Sequence, residues 1–257
     1  MKRMLRALIT GGAGLLGERL IATSPSAYEV HATQRRTPVR GAPAHTVELS
    51  DSTAVRELVV RLRPELVIHT AYSVQHGERD IVQATEAVVA ACRAAGAQLI
   101  CMSTDALLDG EHSPYDEAAE PAPVHEYGRW KARAELHVRG VMPGAAVIRT
   151  SLITQFDPPD PRCASVADAL RRGGAVTLFT DELRCPIIAE DLARQIWEIA
   201  ALPVQRQSGV WHLAGPEALS RYALGLLIAA HERLDPAGIT AALSAASPSP
   251  RPRDLRL

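Results

Sequence analysis

The sequence predicts an α/β protein with a doubly wound parallel sheet and a smaller C-terminal lobe. Up to residue 150, short apolar runs alternate with segments whose apolar residues recur at helical spacing. A glycine-rich stretch joins the first apolar run to the first helical segment, and beyond residue 150 the alternation becomes irregular. Strands that alternate with helices favour a parallel sheet covered by helices on both faces.

The first 150 residues are predicted to form the sheet and the helices that cover it. Apolar runs of strand length predict strands over residues 4–10, 28–33, 44–48, 66–70, 98–103 and 145–150. Helical periodicity predicts helices over residues 15–22, 51–63, 80–95 and 126–139. Asp51 or Ser52 can cap the second helix, and Pro64 and Gly96 mark the ends of the second and third.

Residues 151–257 predict a smaller lobe, interleaved with the first domain and lying over the carboxyl edge of the sheet. Helices fit residues 165–172, 189–200 and 220–234, and short strands fit residues 175–179 and 210–213. Prolines and aspartates crowd residues 155–163, which therefore predict a loop. The segment 247–253 is rich in proline and arginine, so we expect it to be extended and outside the core.

Composition excludes several classes of protein. The chain has 257 residues, of which 47% are hydrophobic, and this is enough to bury a sizeable core. A net charge of −1 and a pI near 6.8 predict no binding to nucleic acid or to an anionic membrane. No apolar run reaches the roughly 18 residues of a membrane span, and the four cysteines lack metal-ligand spacing. We expect a cytoplasmic protein without a metal site.

A glycine-rich turn directly follows the first predicted strand, in the string Thr10-Gly11-Gly12-Ala13-Gly14-Leu15-Leu16-Gly17. The string fits both GxGxxG and GxxGxxG, whose glycines permit a sharp turn, close approach of a phosphate and tight helix–strand packing. Because it follows a strand and opens a helix, it predicts an NAD(P)-binding Rossmann domain over residues 1–150. The expected cofactor contacts are Gly11, Gly14, Leu15, Leu16 and Gly17.

The residues after the second strand bear on which dinucleotide is bound. An NAD site commonly carries Asp or Glu there for the ribose hydroxyls, whereas this chain has Gln34-Arg35-Arg36. The guanidinium groups of Arg35 and Arg36 can hold a 2′-phosphate through paired hydrogen bonds. The sequence therefore favours NADP(H), with NAD(H) as the alternative if both arginines are merely solvated.

Tyr127 and Lys131 are four residues apart on a predicted helix, so their side chains face the same way. A free tyrosine has a pKa of about 10, and a nearby ammonium favours the phenolate, so we expect Lys131 to lower the pKa of Tyr127. Thr104 follows a predicted strand at the carboxyl edge, where its hydroxyl can hold a carbonyl oxygen. These groups predict transfer of a proton and a hydride, although the same spacing also suits a packed aromatic and a surface lysine.

Together these motifs resemble the extended short-chain dehydrogenases/reductases, and within them the dTDP-4-dehydrorhamnose reductase-like, sugar-nucleotide-binding group. The resemblance covers nearly the whole chain. Besides residues 10–17 it is carried by Ser103-Thr104-Asp105, Asp109-Gly110, Pro114-Tyr115-Asp116-Glu117, Pro121, Pro123, Tyr127-Gly128, Lys131, Glu135, Arg149-Thr150-Ser151, Asp181, Pro186, Asp191-Leu192-Ala193, His212-Leu213-Ala214-Gly215 and Arg251-Pro252. It implies Thr104, Tyr127 and Lys131 as the catalytic triad and a 4-keto nucleotide sugar as the substrate class.

The resemblance also implies further contacts. Expected around the cofactor, from adenine to nicotinamide, are Glu48, Leu49, Thr70, Ala71, Tyr72, Ser103, Tyr127 and Lys131. Expected around the substrate are Thr104, Asp105 and Arg251, with Arg251 or Arg253 at the pyrophosphate. Six positions depart from the family pattern, namely 106–108 (Ala-Leu-Leu), Trp130, Leu152 and Gln83. These differences affect residues of the pocket more than those of the reaction, so the identity of the sugar stays undetermined.

Three functions fit this sequence. The first is an NADP(H)-dependent reductase of a keto group on a nucleotide-linked sugar. The second is a nucleotide-sugar epimerase or dehydratase, which would show no net redox change per turnover. The third is a cofactor-binding regulatory subunit without turnover. The expected partner is a small-molecule nucleotide sugar, with no nucleic acid or membrane, and the expected state is a monomer or homodimer.

Overall fold

The computed structural model describes residues 3–257 as an α/β structure with short connections. The strands are β1 (Leu5–Thr10), β2 (Tyr28–Gln34), β3 (Ala44–Thr46), β4 (Leu66–His69), β5 (Gln98–Met102), β6 (Ala146–Thr150), β7 (Ile153–Thr154), β8 (Val176–Phe179), β9 (Leu183–Arg184), β10 (Ile187–Ile188), β11 (Gly209–Leu213), β12 (Leu219–Ser220) and β13 (Ile239–Ala242). The helices are α1 (Leu15–Ala22), α2 (Ser52–Leu62), α3 (Ala84–Ala95), α4 (Glu126–Val141), α5 (Pro161–Arg171), α6 (Ala189–Ala201), α7 (Val204–Gln207) and α8 (Arg221–His231).

Seven of these strands form one parallel sheet in the order β11-β6-β5-β4-β1-β2-β3. The chain first builds outward from β1 through β2 to β3, then crosses back and builds the other half from β4. The predicted Rossmann-type doubly wound sheet is therefore confirmed. In such sheets a crevice opens at the carboxyl ends of the strands where the order reverses, here beside β1 and β4.

Two apolar layers cover the faces of this sheet. On β1, Ala7 and Ile9 belong to the cluster that includes α1 and α6, whereas Leu8 belongs to the cluster formed with α2 and α3. Alternate residues of a strand point to opposite faces, which explains this division. Because both faces are covered, β4 is buried along its whole length and is apolar up to its last residue, His69.

Two predicted boundaries were wrong. Helix α5 begins at Pro161 rather than at residue 165, so the predicted loop over residues 155–163 is shorter than expected. The carboxylate of Asp160 accepts hydrogen bonds from the backbone N–H groups of Arg162 (2.8 Å) and Cys163 (3.3 Å), and Pro161 suits the first helical position. The helix predicted from residue 80 opens with a stretch of π-helix, Glu78–Gln83, before α3.

The placement of the strand predicted at residues 210–213 was also wrong. It was assigned to the smaller lobe, but β11 pairs in parallel with β6, with Trp211 opposite Ile148, and forms an edge of the main sheet. Helix α6 packs on α1 and returns the chain to that edge. The smaller lobe is built around α5 and α8, which share an apolar cluster of their own.

The C-terminal tail is packed more deeply than predicted. The Leu183 N–H donates to the carbonyl oxygen of Arg253 (2.6 Å), and the Leu255 N–H donates to that of Leu183 (3.1 Å). Pro252 is buried, and Leu255 is 0% exposed, packed with Leu107 and other residues of a small apolar cluster. The expectation that residues 247–253 stay outside the core was therefore wrong at Pro252. None of the helices within residues 3–257 is long and apolar enough to cross a membrane.

Candidate active site

A cavity of about 940 Å³ runs along the carboxyl ends of the sheet strands. The structure brings nearly all of the predicted site residues into its wall, namely Gly11, Gly14, Leu15, Leu16, Gly17, Arg35, Arg36, Glu48, Leu49, Thr70, Ala71, Tyr72, Ser103, Thr104, Asp105, Tyr127 and Lys131. The exception is Arg251, which does not line the cavity. Residues up to 131 and residues beyond 150 face each other across this space.

The glycine turn forms one end of the cavity. Gly11 has φ +73°, and a Cβ there would lie 2.9 Å from the Cα of Ala71; a Cβ on Gly17 would lie 2.2 Å from the carbonyl oxygen of Gly11. Glycine is therefore required at Gly11 by conformation and by space, and at Gly17 by space. Gly14 precedes α1, and no side chain caps this helix. Its first N–H groups are thus available for a phosphate, and the turn fits a dinucleotide pyrophosphate.

The two arginines after β2 have different surroundings. The Nη1 atom of Arg35 lies 3.0 Å from the carboxylate of Asp80 and 3.6 Å from that of Glu48. Asp80 is buried in the π-helical stretch and also receives a hydrogen bond from Arg79. Arg36 lines the cavity, and among the ion pairs of residues 3–257 it takes part in none. Arg36 is therefore the freer cation for a 2′-phosphate.

The predicted catalytic groups meet beyond the ends of β5 and α4. Lys131 is buried, and its Nζ donates to the carbonyl oxygen of Met102 at 2.5 Å, which fixes the ammonium at the end of β5. The Thr104 hydroxyl accepts from the Ala106 N–H (3.2 Å) and donates to the Asp105 carboxylate (3.3 Å). The ring of Tyr127 packs 6.0 Å from that of Tyr72. One proton donor, one cation and one hydroxyl thus share a single stretch of wall.

Burial dominates the protonation of these groups. It raises the pKa of Tyr127, as do Tyr72 and Asp105, while a hydrogen bond with Thr104 opposes the rise. The expectation that the pKa of Tyr127 is lowered was therefore wrong, because burial outweighs any attraction by the Lys131 ammonium. Burial also lowers the pKa of Lys131, against the attraction of Cys101 and Glu135. Tyr127 is consequently a protonated phenol at neutral pH, as a proton donor must be.

A buried ion pair supports this wall from behind. Arg149 is 0% exposed, and its Nη2 lies 2.6 Å from the carboxylate of Glu135 on helix α4. Glu135 also accepts a hydrogen bond from the Ser103 hydroxyl at 2.6 Å. This links the end of β5 to α4, the helix that carries Tyr127 and Lys131. The link holds the catalytic groups in a fixed relation.

Several cavity residues had not been predicted. One of them is Ser151, whose hydroxyl donates to the carboxyl of the predicted Asp105 at 2.7 Å; burial raises the pKa of that carboxyl. The unpredicted wall residues include Asp80, Ser151, Asp160, Arg162, Glu182, Arg184 and Arg221. Ser151 belongs to a family motif and could have been found from it, whereas the others follow no short motif.

Arg251 lies behind the cavity wall. Its Nη1 is 3.0 Å from the carboxylate of Glu182, which does line the cavity, and its guanidinium stands 5.0 Å from the ring centroid of Phe179. Arg253 forms an exposed ion pair with Glu111. Within residues 3–257, no group of three or more His, Cys, Asp or Glu side chains is arranged to hold a metal ion.

Comparisons with known proteins agree on one family. A family model described as the RmlD substrate binding domain matches residues 5–257. A probable low-salt glycan biosynthesis reductase of Haloferax volcanii is 32% identical over 232 residues, which cover 83% of this chain and 76% of that protein. A dTDP-4-keto-6-deoxy-D-glucose reductase of Streptomyces niveus is 30% identical over 219 residues, covering 80% and 72%. Methionine adenosyltransferase 2 subunit beta of Danio rerio is 30% identical over 193 residues, covering 70% and 60%.

Solved structures have the same fold. A hypothetical dTDP-4-dehydrorhamnose reductase from Sulfolobus tokodaii superposes with a TM-score of 0.85 at 26% identity, covering 98% of this chain and 91% of that one. A dTDP-4-dehydrorhamnose reductase from Bacillus anthracis, solved in complex with NADP, gives a TM-score of 0.83 over 98% and 88% of the two chains. At 20% identity, this second likeness shows the fold alone.

Proposed function

This chain belongs to the RmlD substrate binding domain family, and from that premise we propose that it reduces a keto group on a nucleotide-linked sugar with NADPH. The resemblance to the dTDP-4-dehydrorhamnose reductase-like group of extended short-chain dehydrogenases/reductases is confirmed by this match. The chain is an NAD(P)-dependent oxidoreductase of that type.

One observation carries the proposal. Thr104, Tyr127 and Lys131 lie in the wall of the same cavity as the glycine turn, and that cavity continues beyond them into the second half of the chain. A dinucleotide seated on the turn and a second ligand seated on the far wall would therefore meet beside these three side chains. A cavity of about 940 Å³ is at the upper end of the usual range for ligand sites, as two ligands require.

The residues divide the chemistry among them. The bound cofactor supplies the hydride that reaches the carbonyl carbon. Tyr127 donates its phenolic proton to the carbonyl oxygen, and its raised pKa keeps that proton in place until charge develops on the oxygen. Thr104 donates a hydrogen bond to the same oxygen, and the nearby Lys131 ammonium favours the phenolate that remains.

The cofactor assignment rests on the corner of the cavity that follows β2, where Arg35 and Arg36 lie. Arg36 lines the cavity and Arg35 is held beside it by Asp80, which supports NADPH over NADH. NAD(H) is the alternative, because Glu48 lies at the same corner and could accept hydrogen bonds from ribose hydroxyls.

A second candidate is a regulatory subunit. It is favoured by the Danio rerio relative, whose name describes a subunit of an adenosyltransferase rather than a reductase. An epimerase or dehydratase is the third candidate, and it differs by leaving the cofactor unchanged after each turnover. The intact set of Thr104, Tyr127 and Lys131 supports a catalytic role over the regulatory one.

The experiment follows oxidation of NADPH by its absorbance while a panel of dTDP- and UDP-linked 4-keto sugars is supplied. We expect stoichiometric oxidation with at least one of them, and none with the Tyr127→Phe variant in the same time. Product formed without net oxidation would favour an epimerase or dehydratase. Nucleotide binding without any turnover, together with capture of a stoichiometric enzyme partner, would favour the regulatory subunit.

Three further proposals accompany this function. We propose residues 1–150 as the cofactor-binding domain and 151–257 as an interleaved substrate-binding lobe. The cytoplasm is the proposed compartment, supported by four unpaired and buried cysteines. A monomer or homodimer is the proposed state, which light scattering on the eluted protein would test.

A further inference from the structure

An ion pair joins the two sides of the crevice that contains the glycine turn. Arg35 directly follows β2, and its Nη1 atom lies 3.0 Å from the carboxylate of Asp80, in the π-helical stretch between β4 and α3. The sheet order β4-β1-β2 places these strands on either side of β1, which leads into the glycine turn. At about 4.8 Å per strand interval, the pair bridges roughly 10 Å of sheet. Both residues line the cavity, so the bridge lies where the cofactor is expected.

The carboxylate of Asp80 is held by two guanidinium groups at once. One oxygen accepts from the Nε of Arg79 at 2.7 Å, and the other accepts from the Nη1 of Arg35 at 3.0 Å. The Asp80 side chain is 4% exposed, whereas both arginine side chains are largely solvated. Burial by itself would raise the pKa of Asp80, but the two arginines outweigh it and lower that pKa. The carboxylate is therefore charged at neutral pH, and as a buried charge it needs a partner.

The position of Asp80 depends on an unusual turn of helix. Residues Glu78–Gln83 form the π-helical stretch, and regular α-helix begins at Ala84. Such stretches are rare and occur frequently at functional sites. The next two residues, Ile81 and Val82, are buried apolar side chains. Asp80 is thus part of a packed turn and not of a solvated loop.

The pairing reduces the charge that Arg35 can offer to a ligand. Glu48 places a second carboxylate 3.6 Å from the same Nη1 atom. Arg35 is therefore neutralised by the protein, whereas Arg36 is not. NADP(H) carries a 2′-phosphate where NAD(H) has a hydroxyl. A carboxylate beside the arginine opposes the phosphate and leaves the neutral hydroxyl unaffected.

We propose that Asp80 is a specificity-determining residue for the cofactor, which competes with the 2′-phosphate of NADP(H) for Arg35 and so lowers the preference for NADP(H) over NAD(H). The inference rests on the proposed function in one respect, since it takes a nicotinamide dinucleotide to be seated on the glycine turn. When the phosphate binds, Arg35 exchanges the Asp80 carboxylate for a phosphate oxygen. Arg79 stays on the carboxylate, so the buried charge keeps a partner. Arg36 supplies the preference that remains.

The test measures the dissociation constants of NADPH and NADH by fluorescence titration of the full chain, without any sugar substrate. Asp80→Asn removes the charge but keeps an oxygen that can accept from Arg79. It should tighten NADPH binding by about 10-fold, the effect of freeing one charge-assisted contact, and leave NADH binding unchanged. The ratio of the two constants therefore reports on the 2′-phosphate alone.

A double-mutant comparison assigns the effect to Arg35. In an Arg35→Ala background, Asp80→Asn should change the NADPH/NADH ratio by less than about 2-fold, because the cation that it frees is gone. Glu86→Gln is the matched control, since Glu86 is exposed on α3 outside the cavity wall and its substitution removes the same charge. Both constants should keep their wild-type values in this variant. Melting temperatures show which variants are folded.

Arg79→Ala tests the exchange without altering the buried carboxylate. Arg79 lies outside the cavity wall, with its side chain 44% exposed. Its loss leaves Arg35 as the remaining ion-pair partner of Asp80 among residues 3–257, so release of Arg35 to a phosphate becomes less favourable. NADPH binding should weaken by about 2- to 5-fold while NADH binding is unchanged. The ratio thus moves in the opposite direction from that of Asp80→Asn, which a general loss of packing would not produce.

Several results would overturn the inference. One is an NADPH/NADH ratio that Asp80→Asn leaves unchanged or shifts towards NADH; if that variant does not fold, an unchanged ratio in Arg79→Ala has the same force. Another is an undiminished effect in the Arg35→Ala background, or a wild type that binds neither cofactor. The proposed reductase function is judged separately, by NADPH oxidation with keto sugar nucleotides. A chain that reduces none of these sugars would lose that function and keep the binding constants that decide the role of Asp80.

Discussion

Trp130 lies directly against the backbone of Gly77, with no room between them for a methyl group. A Cβ placed on Gly77 would be 1.9 Å from the Trp130 ring. Trp130 stands beside Lys131 on α4, and Gly77 precedes the π-helical stretch that contains Asp80. The tryptophan, where the family commonly has a small polar residue, is therefore matched by a glycine at the start of the π-helical stretch.

Gly77→Ala should destabilise the protein by about 1–3 kcal/mol, the usual effect of overpacking a tight contact. Gly77 has φ −57° and ψ −39°, which alanine adopts freely, so the effect would come from the Trp130 ring and not from the backbone. Urea unfolding measures it. In a Trp130→Ala background the same substitution should cost nearly nothing, and an undiminished cost there would disprove the contact.

Tyr127→Phe should leave folding and NADPH binding near wild type and lower kcat by about 10²–10⁴, the usual contribution of a positioned general acid. Lys131→Met should lower both kcat and NADPH affinity, because it removes a cation beside the phenol and a cofactor contact. Thr104→Val should lower kcat less, since one hydrogen bond is lost. Steady-state kinetics of the three variants, with a keto sugar nucleotide that the wild type reduces, measure these effects. A Tyr127→Phe variant with wild-type kcat would rule out the short-chain reductase mechanism for this protein.

Arg36→Ala should weaken NADPH binding by about 10-fold or more while leaving NADH binding unchanged. Arg35→Ala should have the smaller effect, because Asp80 and Glu48 already neutralise that guanidinium. Fluorescence titration with NADPH and with NADH gives the ratio of the two dissociation constants for each variant. The assignment of the 2′-phosphate corner fails if the wild type prefers NADH or if neither substitution changes the preference.

Leu255→Ala should destabilise the protein by about 2–5 kcal/mol, as expected for a fully buried leucine. Arg253→Ala is the control from the same tail, since its exposed pair with Glu111 contributes little. Thermal unfolding distinguishes them. Equal melting temperatures for both variants would show that the tail is not part of the core.

The free energy of unfolding should decrease as the pH is lowered, and we attribute part of this decrease to His69. This buried ring contacts the Thr10 hydroxyl at 2.7 Å, and burial lowers its pKa from 6.5 to about 3. The unfolded chain therefore takes up the proton first, so the stabilisation is complete above about pH 6.5 and is lost as pH falls towards 3. The slope from this one group is at most about 1.4 kcal/mol per pH unit.

Urea unfolding between about pH 7 and 5 reports on histidines, because most carboxylates stay ionised there. His45, His125 and His212 contribute with the same sign, since burial lowers the pKa of each. His69→Asn should therefore reduce the slope without abolishing it, whereas the exposed His76→Asn should not change it. A wild-type slope retained by His69→Asn would assign the acid sensitivity to another residue.

The local sequence pattern was enough to predict much of this protein's structure. Helix α1, predicted at residues 15–22, has those bounds in the structure, because a glycine turn and an apolar face are both properties of neighbouring residues. The same holds for Tyr127 and Lys131, whose spacing on a helix places them on one face wherever that helix packs. The sequence by itself thus determined the type of sheet, the glycine turn and the pair.

Tertiary structure decided what depends on residues far apart in the chain. The edge position of β11, the burial of Leu255 and the rise in the pKa of Tyr127 all come from packing against distant segments. Arg162 and Arg221 belong to different helices and share no motif, so only the fold places them in one wall. Charge, burial and proximity are set by long-range contacts, which a local pattern does not record.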